Sequence, residues 1–202
     1  MTRYPGAVSV ATGLKATTFQ EDYTDDLLQS VYYTVAPVNA GHVGEEAKSN
    51  VLVLGSYLQP PYSEDFTDAT SPSLYTIVDA NADKNTWYYS VKSMKYRASY
   101  SKAADDWLIL PAMQLKGGYS YELGFDLYGT NARYTNIVEV KMGDAPTAEA
   151  MTTAIGESIS SSATSAAPTK AKLNVMPEAD GVKYIGIHII SAVSQGTATI
   201  DN

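Results

Sequence analysis

The sequence contains no cysteine among its 202 residues, and this absence removes several kinds of chemistry at once. Without thiols the chain has no disulfide framework, no cysteine nucleophile and no thiolate zinc site. Basic residues are also few: 14 Lys and Arg stand against 22 Asp and Glu, for a formal net charge of −8. Because like charges repel, this balance argues against binding to nucleic acid or to an anionic membrane surface.

Long apolar runs are missing as well. No stretch approaches the roughly 20 apolar residues that a transmembrane helix needs, so we expect no membrane insertion by this chain. The first 30 residues lack a basic start followed by an apolar stretch, so no signal peptide is recognisable in them. Since the strand pattern begins at once, we expect the chain to be a piece cut from a longer protein.

Aromatic residues are unevenly distributed among the three types. The sequence has 3 Phe and 2 Trp but 16 Tyr, and its hydrophobic content of 45% is enough for a real core. Tyrosine joins an apolar ring to a polar hydroxyl and therefore suits half-exposed positions on strands. This composition favours an all-β fold.

The clearest strand signal follows the turn residues Lys116, Gly117 and Gly118. From residue 119 to residue 127, large apolar side chains at odd positions alternate strictly with smaller or polar ones at even positions. Alternation with a period of two predicts a half-buried strand with Phe125 facing inward, and Trp107 in the preceding apolar run is also predicted to be buried. The Ser/Ala/Thr segment at residues 158–169 is predicted to be a long exposed loop.

Near the end of residues 1–55, a strand is followed by a glycine-containing loop and by a Ser-Asn pair before a last apolar strand. The residues of this pattern are Tyr33, Val35, Asn39, Gly41, Gly44, Ser49 and Asn50. On these residues the segment resembles the C-terminal half of a fibronectin type III domain. Such a domain needs roughly 90 to 100 residues, so its first strands are missing here. An apolar sheet face without its cover, beside an open edge, favours self-association through residues 1–55.

After a proline-containing linker at residues 56–61, the sequence changes in character. Residues 62–202 contain, in this order, the pieces SEDF, IVDANADKNTW, ADDWLILP, LKGGYSYELGFDLY, VEVKMGDAPTAEAMT, YIGIHIIS and TIDN. As a set and in this order, they resemble the cleaved-adhesin or choice-of-anchor J family of Bacteroidales surface proteins. The resemblance implies a jelly-roll β-sandwich of the concanavalin or MAM type. It also implies a secreted or cell-surface, outer-membrane-associated module.

Asp79, Asn81 and Asp83 are the candidate metal ligands. Oxygen-bearing side chains at alternate positions are the spacing by which a tight loop wraps calcium, although a solvated turn explains the same pattern. The resemblance implies structural calcium near this loop and near the two ends of the sandwich. It therefore adds Glu64, near the start of the module, and Asp201, in the closing strand, as candidate ligands.

Four tyrosines between this loop and residue 104 are the candidate ligand-binding residues: Tyr88, Tyr89, Tyr96 and Tyr100. Aromatic rings on the face of a β-sandwich stack against sugar rings, while the alternative is that these rings pack within the protein.

No catalytic motif is present. Glu122 and Asp126 share a strand face but lie four residues apart, or about 13 Å, which is too far for the carboxylate pair of a glycosidase. A carboxylate pair formed across strands stays open at this stage. The family resemblance implies a non-catalytic adhesion or ligand-binding module that binds a host glycan or an extracellular protein. The alternative is a carbohydrate-binding accessory module of a secreted hydrolase or protease.

Overall fold

Extended strands account for almost all of the regular structure in the computed structural model, which describes all 202 residues. Two short 3-10 helices, Ser71–Leu74 and Ala148–Ala150, complete it. None of the helices has the length and apolar character needed to span a bilayer. The chain divides into two compact units, Met1–Ser56 and Tyr57–Asn202. The predicted all-β fold class is confirmed.

Seven short strands make up the first unit. They are β1 (Thr2–Tyr4), β2 (Val8–Ser9), β3 (Gln29–Val35), β4 (Val38–Asn39), β5 (His42–Val43), β6 (Ala47–Lys48) and β7 (Leu52–Leu54). The central strand is β3, which pairs antiparallel with β1, β6 and β7, while β2 extends the sheet beyond β1. The β4 and β5 strands form a separate hairpin.

The apolar residues of this first unit are only partly covered within the unit. Val31 is fully buried, but Val35 on the same strand is 47% exposed. Val51, Leu52 and Val53 are exposed as well. This uncovered surface is the physical basis of the predicted self-association, which stays a prediction.

Twelve strands make up the second unit. They are β8 (Thr76–Asp79), β9 (Trp87–Tyr89), β10 (Met94–Arg97), β11 (Asp106–Ile109), β12 (Met113–Leu115), β13 (Tyr121–Gly129), β14 (Asn136–Gly143), β15 (Met151–Ala154), β16 (Ile159–Ser161), β17 (Thr169–Val175), β18 (Gly181–Ile189) and β19 (Thr197–Asp201).

These strands form two antiparallel sheets. The β13 sheet has the order β17-β13-β19-β10-β9. The β18 sheet has the order β15-β14-β18-β11-β8, and β12 and β16 add to it beside β18 and β14. Buried side chains from both sheets, such as Leu127 and Ile187, belong to one apolar cluster. The sheets therefore pack face to face as a β-sandwich.

The alternation that predicted a strand at residues 119–127 is largely correct. Phe125 and Leu127 point into the core as expected. The strand begins at Tyr121, however, and Tyr119 is exposed because it still belongs to the turn around Gly118. Within that turn, the Tyr121 hydroxyl accepts a hydrogen bond from the Lys116 backbone N–H.

Trp107 is buried, as predicted, but outside the main core. It lies on the other face of the β18 sheet with Ile109 and Met151. Its ring stacks on His188 with centroids 4.0 Å apart. Gly186 permits this packing, since a Cβ there would lie 2.8 Å from the Trp107 ring.

The segment 158–169 is not simply an exposed loop, which corrects the sequence-based expectation. Its first residues form β16 beside β14. Ser161 is buried, and its hydroxyl donates a hydrogen bond of 3.2 Å to the Leu127 carbonyl. A serine that satisfies its hydroxyl in this way can occupy a buried edge position despite its low hydrophobicity.

The predicted linker at residues 56–61 is partly built into the second unit. Leu58 donates to the Ala112 carbonyl at 2.7 Å and accepts from the Gln114 N–H at 2.8 Å. These two hydrogen bonds join Leu58 to the edge of the sandwich.

Candidate functional site

The predicted tyrosines lie on and beside the β9–β10 hairpin, at one edge of the β13 sheet. In β10 the side chains of Met94 and Tyr96 point inward, and Arg97 points outward. Tyr96 is 0% exposed and packs on the Trp87 ring. Its selection as a ligand-binding residue is therefore wrong, because the two-residue period of the strand places it on the core face.

Tyr89 is also held within the protein rather than offered to a ligand. Its ring packs against the core, and its hydroxyl donates a hydrogen bond of 3.0 Å to the Phe66 carbonyl. Tyr88 and Tyr100, in contrast, are 41% and 80% exposed. The structure thus keeps two of the four predicted tyrosines available for binding.

These two tyrosines line a groove of about 360 Å³ with Arg97 and Tyr134. We call it the tyrosine groove. Tyr134 is 37% exposed and comes from the turn between β13 and β14. Sequence reasoning missed it because nothing in the local pattern links this turn to the β9–β10 hairpin. The remaining lining residues are Ala98, Thr130, Ser194, Gly196 and Thr197.

Three hydrogen bonds tie together the loops that form the groove. Ala98 N–H donates to the Gly196 carbonyl, and Ser194 N–H donates to the Ser99 carbonyl, each at 2.8 Å. Thr135 N–H donates to Oε1 of Gln195, also at 2.8 Å. These hydrogen bonds therefore connect the loops that form the walls of the groove.

Gly196 sets the position of the Tyr134 ring. Its φ of +73° lies in the left-handed region, and a Cβ on it would stand 2.7 Å from Cδ2 of Tyr134. The ring therefore lies directly against the backbone of the 194–196 loop. A side chain at position 196 would displace the ring. Glycine is therefore needed here both for the positive φ and for the close contact between the Tyr134 ring and the backbone.

The polar groups of the groove face outward without partners in the chain. The hydroxyls of Tyr88, Tyr100 and Tyr134 make no hydrogen bond to the protein. Arg97 is the one charged residue of the lining and forms no ion pair. Apolar ring faces beside unpaired hydrogen-bonding groups are the combination with which proteins bind small polar ligands.

The acidic loop that was predicted to hold calcium closes on itself. Asp79 accepts hydrogen bonds from the backbone N–H groups of Asp83 and Lys84, through Oδ1 and Oδ2 respectively. Asn81 Oδ1 also accepts from Asp83 N–H, and Asp83 Oδ1 accepts from Asn85 N–H. Most of the candidate ligand oxygens therefore already have backbone donors. Oδ2 of Asp83 is the exception, since it is buried without a partner.

Asp106, the first residue of β11, lies directly opposite Asp79 and is 0% exposed. Its Oδ1 has no hydrogen-bond partner. Burial raises the pKa of Asp106 to about 6, and the negative charges of Asp79 and Asp83 act in the same direction. The Tyr96 hydroxyl opposes the rise but does not reach hydrogen-bonding geometry with Oδ1.

Glu64 and Asp201 lie elsewhere, together on the wall of one cavity between the sheets. Oε1 of Glu64 accepts from Phe66 N–H at 2.6 Å, and its Oε2 accepts from the Tyr62 hydroxyl at 3.2 Å. The five predicted metal ligands thus fall into two separate groups.

Two carboxylate oxygens in this region have no hydrogen-bond partner, one on Asp83 and one on Asp106. Both oxygens are buried, and calcium takes oxygen ligands. No three Asp, Glu or His side chains come together as a metal-binding group. A bound ion would therefore have to draw its remaining ligands from backbone carbonyls, amides or water.

The carboxylates considered for glycosidase chemistry have partners of their own. Glu122 pairs with Lys172, and Asp126 pairs with Lys170 through both oxygens at 3.0 Å. Asp126 of β13 is also paired directly with Asp201 of the adjacent strand β19, and paired side chains on adjacent strands lie about 5 Å apart. The hydroxyl of Tyr128 reaches Asp201 at 3.3 Å. Asp126 and Asp201 thus form a carboxylate pair across adjacent strands, and each has a polar side-chain partner.

His188 is hydrogen-bonded on the outer face of the β18 sheet. Its Nε2 lies 2.7 Å from Oδ1 of Asp105, and its ring stacks on Trp107. The contact explains the acidic pair that precedes Trp107: Asp105 binds the histidine, and Asp106 begins the strand.

No protein-family model matches the chain, and no curated protein matches it. Among solved structures, the chain is similar to cleaved adhesin domains of Lys-gingipain. The K3 domain from Porphyromonas gingivalis has a TM-score of 0.55 at 15% identity, over 70% of this chain and 95% of that domain. The K1 domain from the same organism has a TM-score of 0.51 at 15% identity, over 64% of this chain and 88% of that domain. The K2 domain has a TM-score of 0.54 at 10% identity, over 69% and 95%. The likeness confirms the β-sandwich implied by the sequence resemblance at the level of the fold.

Proposed function

We propose that the chain is a non-catalytic binding module of a secreted or cell-surface bacterial protein, and that it binds a glycan in the tyrosine groove. The observation that carries the proposal is the convergence of Tyr88, Tyr100 and Tyr134 from three separate segments of the chain on one groove. Their rings offer apolar surface, and their hydroxyls are free to bond. An adhesive module and an accessory module of a hydrolase would both use such a groove.

A saccharide fits this groove for a physical reason. A sugar ring presents an apolar C–H face and a rim of hydroxyl groups, which match an aromatic ring and its polar neighbours. The hydroxyls of Thr130, Ser194 and Thr197 line the same groove and extend the polar rim. A flat protein partner would instead need a contact area of about 800 Å² on each side, which is larger than a groove of this size offers.

A glycan array tests this proposal. We expect binding to at least one glycan class by the full chain, and loss of binding in Tyr88→Ala and Tyr100→Ala. Tyr119→Ala is the matched control, because this tyrosine is 61% exposed but lies outside the groove. Binding that survives both groove substitutions, or that is lost equally in the control, would contradict the assignment. A host-protein overlay with the same variants separates protein adhesion from glycan binding.

We also propose that calcium has a structural role beside the acidic loop, with Asp83 and Asp106 as ligands. The support is their pair of buried, unpartnered carboxylate oxygens. An ion there would offset the repulsion that the charges of Asp79 and Asp83 exert on Asp106. Glu64 and Asp201 would belong to a separate site, since they do not reach this loop.

A further inference from the structure

We propose that the tyrosine groove is selective for an acidic saccharide, and that Arg97 binds the carboxylate of a uronic or sialic acid residue. The inference rests on the proposed function of the groove and names its ligand class. Arg97 points out of β10 and lines the groove together with Tyr88 and Tyr100.

Arg97 has no partner within the chain, whereas several other cations do. Arg3 pairs with Glu21, and Lys170 pairs with Asp126. Arg97 has neither an ion pair nor a side-chain hydrogen bond, in a chain whose net charge is −8. Its guanidinium therefore keeps all of its donors for a ligand.

The surroundings of Arg97 favour an anion. No Asp or Glu lines the groove. Lys95, two residues earlier on the same outward face, stands directly opposite Tyr88 and also lacks an ion-pair partner. Arg97 in the groove lining and Lys95 on the same strand therefore place two unpaired positive charges near Tyr88, and positive charges attract an anionic ligand.

The planar guanidinium of Arg97 suits a planar carboxylate, which is the anionic group of uronic and sialic acids. The guanidinium is planar and presents parallel N–H donors, which match the two oxygens of a carboxylate. With the sugar ring on Tyr88 or Tyr100, a carboxylate on the ring edge would reach the guanidinium beside them. A neutral sugar would make the stacking contact and leave Arg97 unpaired.

The test compares two probes that differ at the carboxylate: an oligogalacturonide and its methyl ester, titrated into the full chain by calorimetry. Sialyllactose and its methyl ester form a second pair, and a sulfated oligosaccharide serves as a further arm. We expect each carboxylate probe to bind about 10- to 100-fold more tightly than its neutral partner, the contribution of a hydrogen bond to a charged group. The preference should shrink as salt is raised, because exposed charges are screened.

Substitutions separate charge recognition from stacking. Arg97→Gln should abolish the preference for the acidic probe, and Arg97→Lys should keep part of it. Arg133→Gln is the control, since Arg133 is exposed and does not line the groove. Tyr100→Ala should weaken acidic and neutral probes by the same factor.

The outcomes distinguish the two proposals. Equal affinity for acid and methyl ester, with loss of both in Tyr100→Ala, would overturn the acidic preference and leave the groove a glycan site. A preference that survives in Arg97→Gln would overturn the role of Arg97. Tighter binding of the sulfated probe than of either carboxylate would overturn the choice of anion. No saccharide binding at all would overturn the groove as a glycan site together with its selectivity.

Discussion

Replacing Asp106 by asparagine should stabilise the protein at neutral pH. Asp106 is completely buried, and burial raises its pKa from 3.8 to about 6. A raised pKa means that the folded state favours the neutral acid. Its contribution to stability is therefore fully present below pH 3.8 and is lost as the pH rises through about 6.

The size of the effect follows from the shift. One pKa unit corresponds to 1.36 kcal/mol, so a shift of about two units makes the charged form about 3 kcal/mol less favourable in the folded protein. Asparagine has nearly the same shape and stays neutral at every pH. The difference in unfolding free energy between Asp106→Asn and the wild type should therefore grow by about 2.5 kcal/mol between pH 4 and pH 7, because a small part of the effect is already lost at pH 4.

Urea unfolding at constant ionic strength, with a chelator present, measures this difference. Comparing variant with wild type at each pH removes the contribution of the other titrating groups. Glu157→Gln is the control, since Glu157 is exposed and without partners, and its difference from wild type should not change with pH. A difference for Asp106→Asn that stays constant from pH 4 to pH 7 would refute the reasoning.

The same variants test the proposed calcium site. If Asp106 and Asp83 are ligands, calcium at 100 times its dissociation constant should stabilise the wild type by about 2.7 kcal/mol at pH 7, and EDTA should reverse the gain. Asp106→Asn and Asp83→Asn should lose the response. No change in melting temperature on going from calcium to EDTA would contradict the site.

Two further predictions concern packing and the division of the chain. Phe125→Ala should cost about 3 to 5 kcal/mol in urea unfolding, because it opens a cavity in the main core; a loss below about 1 kcal/mol would mean that the inward face of β13 is misassigned. A fragment spanning Tyr57–Asn202 should melt cooperatively and be more monodisperse in light scattering than the full chain, because it lacks the exposed apolar surface of the first unit. Unfolding of that fragment would show that the two units fold as one.

Local pattern was sufficient for much of the fold. The alternation around Phe125 predicted a strand and its inward face, and the glycine pair before it predicted the turn. The same two-residue alternation also predicts that Tyr96 is buried, because Met94 and Tyr96 alternate with the charged residues Lys95 and Arg97. The prediction that Tyr96 is exposed followed its residue type, whereas the alternation in its strand places it on the core face.

The groove required information that a local pattern does not carry. Tyr134 reaches Tyr88 and Arg97 only because the β13–β14 turn and the 194–196 loop meet at the end of the β13 sheet. From the local sequence alone, each of these residues is predicted to be an ordinary surface residue. Strand order across the sheet decides which of them become neighbours.

The sequence by itself determined the strand class, the inward face of β13 and the absence of thiol chemistry, since these depend on residue type and on a period of two. Only the tertiary structure decided which acidic residues are buried and which partners they have. Asp105 and Asp106 are adjacent in sequence, yet the first binds His188 at the surface and the second is buried between β8 and β18. The free energy of a carboxylate depends on what surrounds it, and the partners that surround these two come from strands tens of residues away.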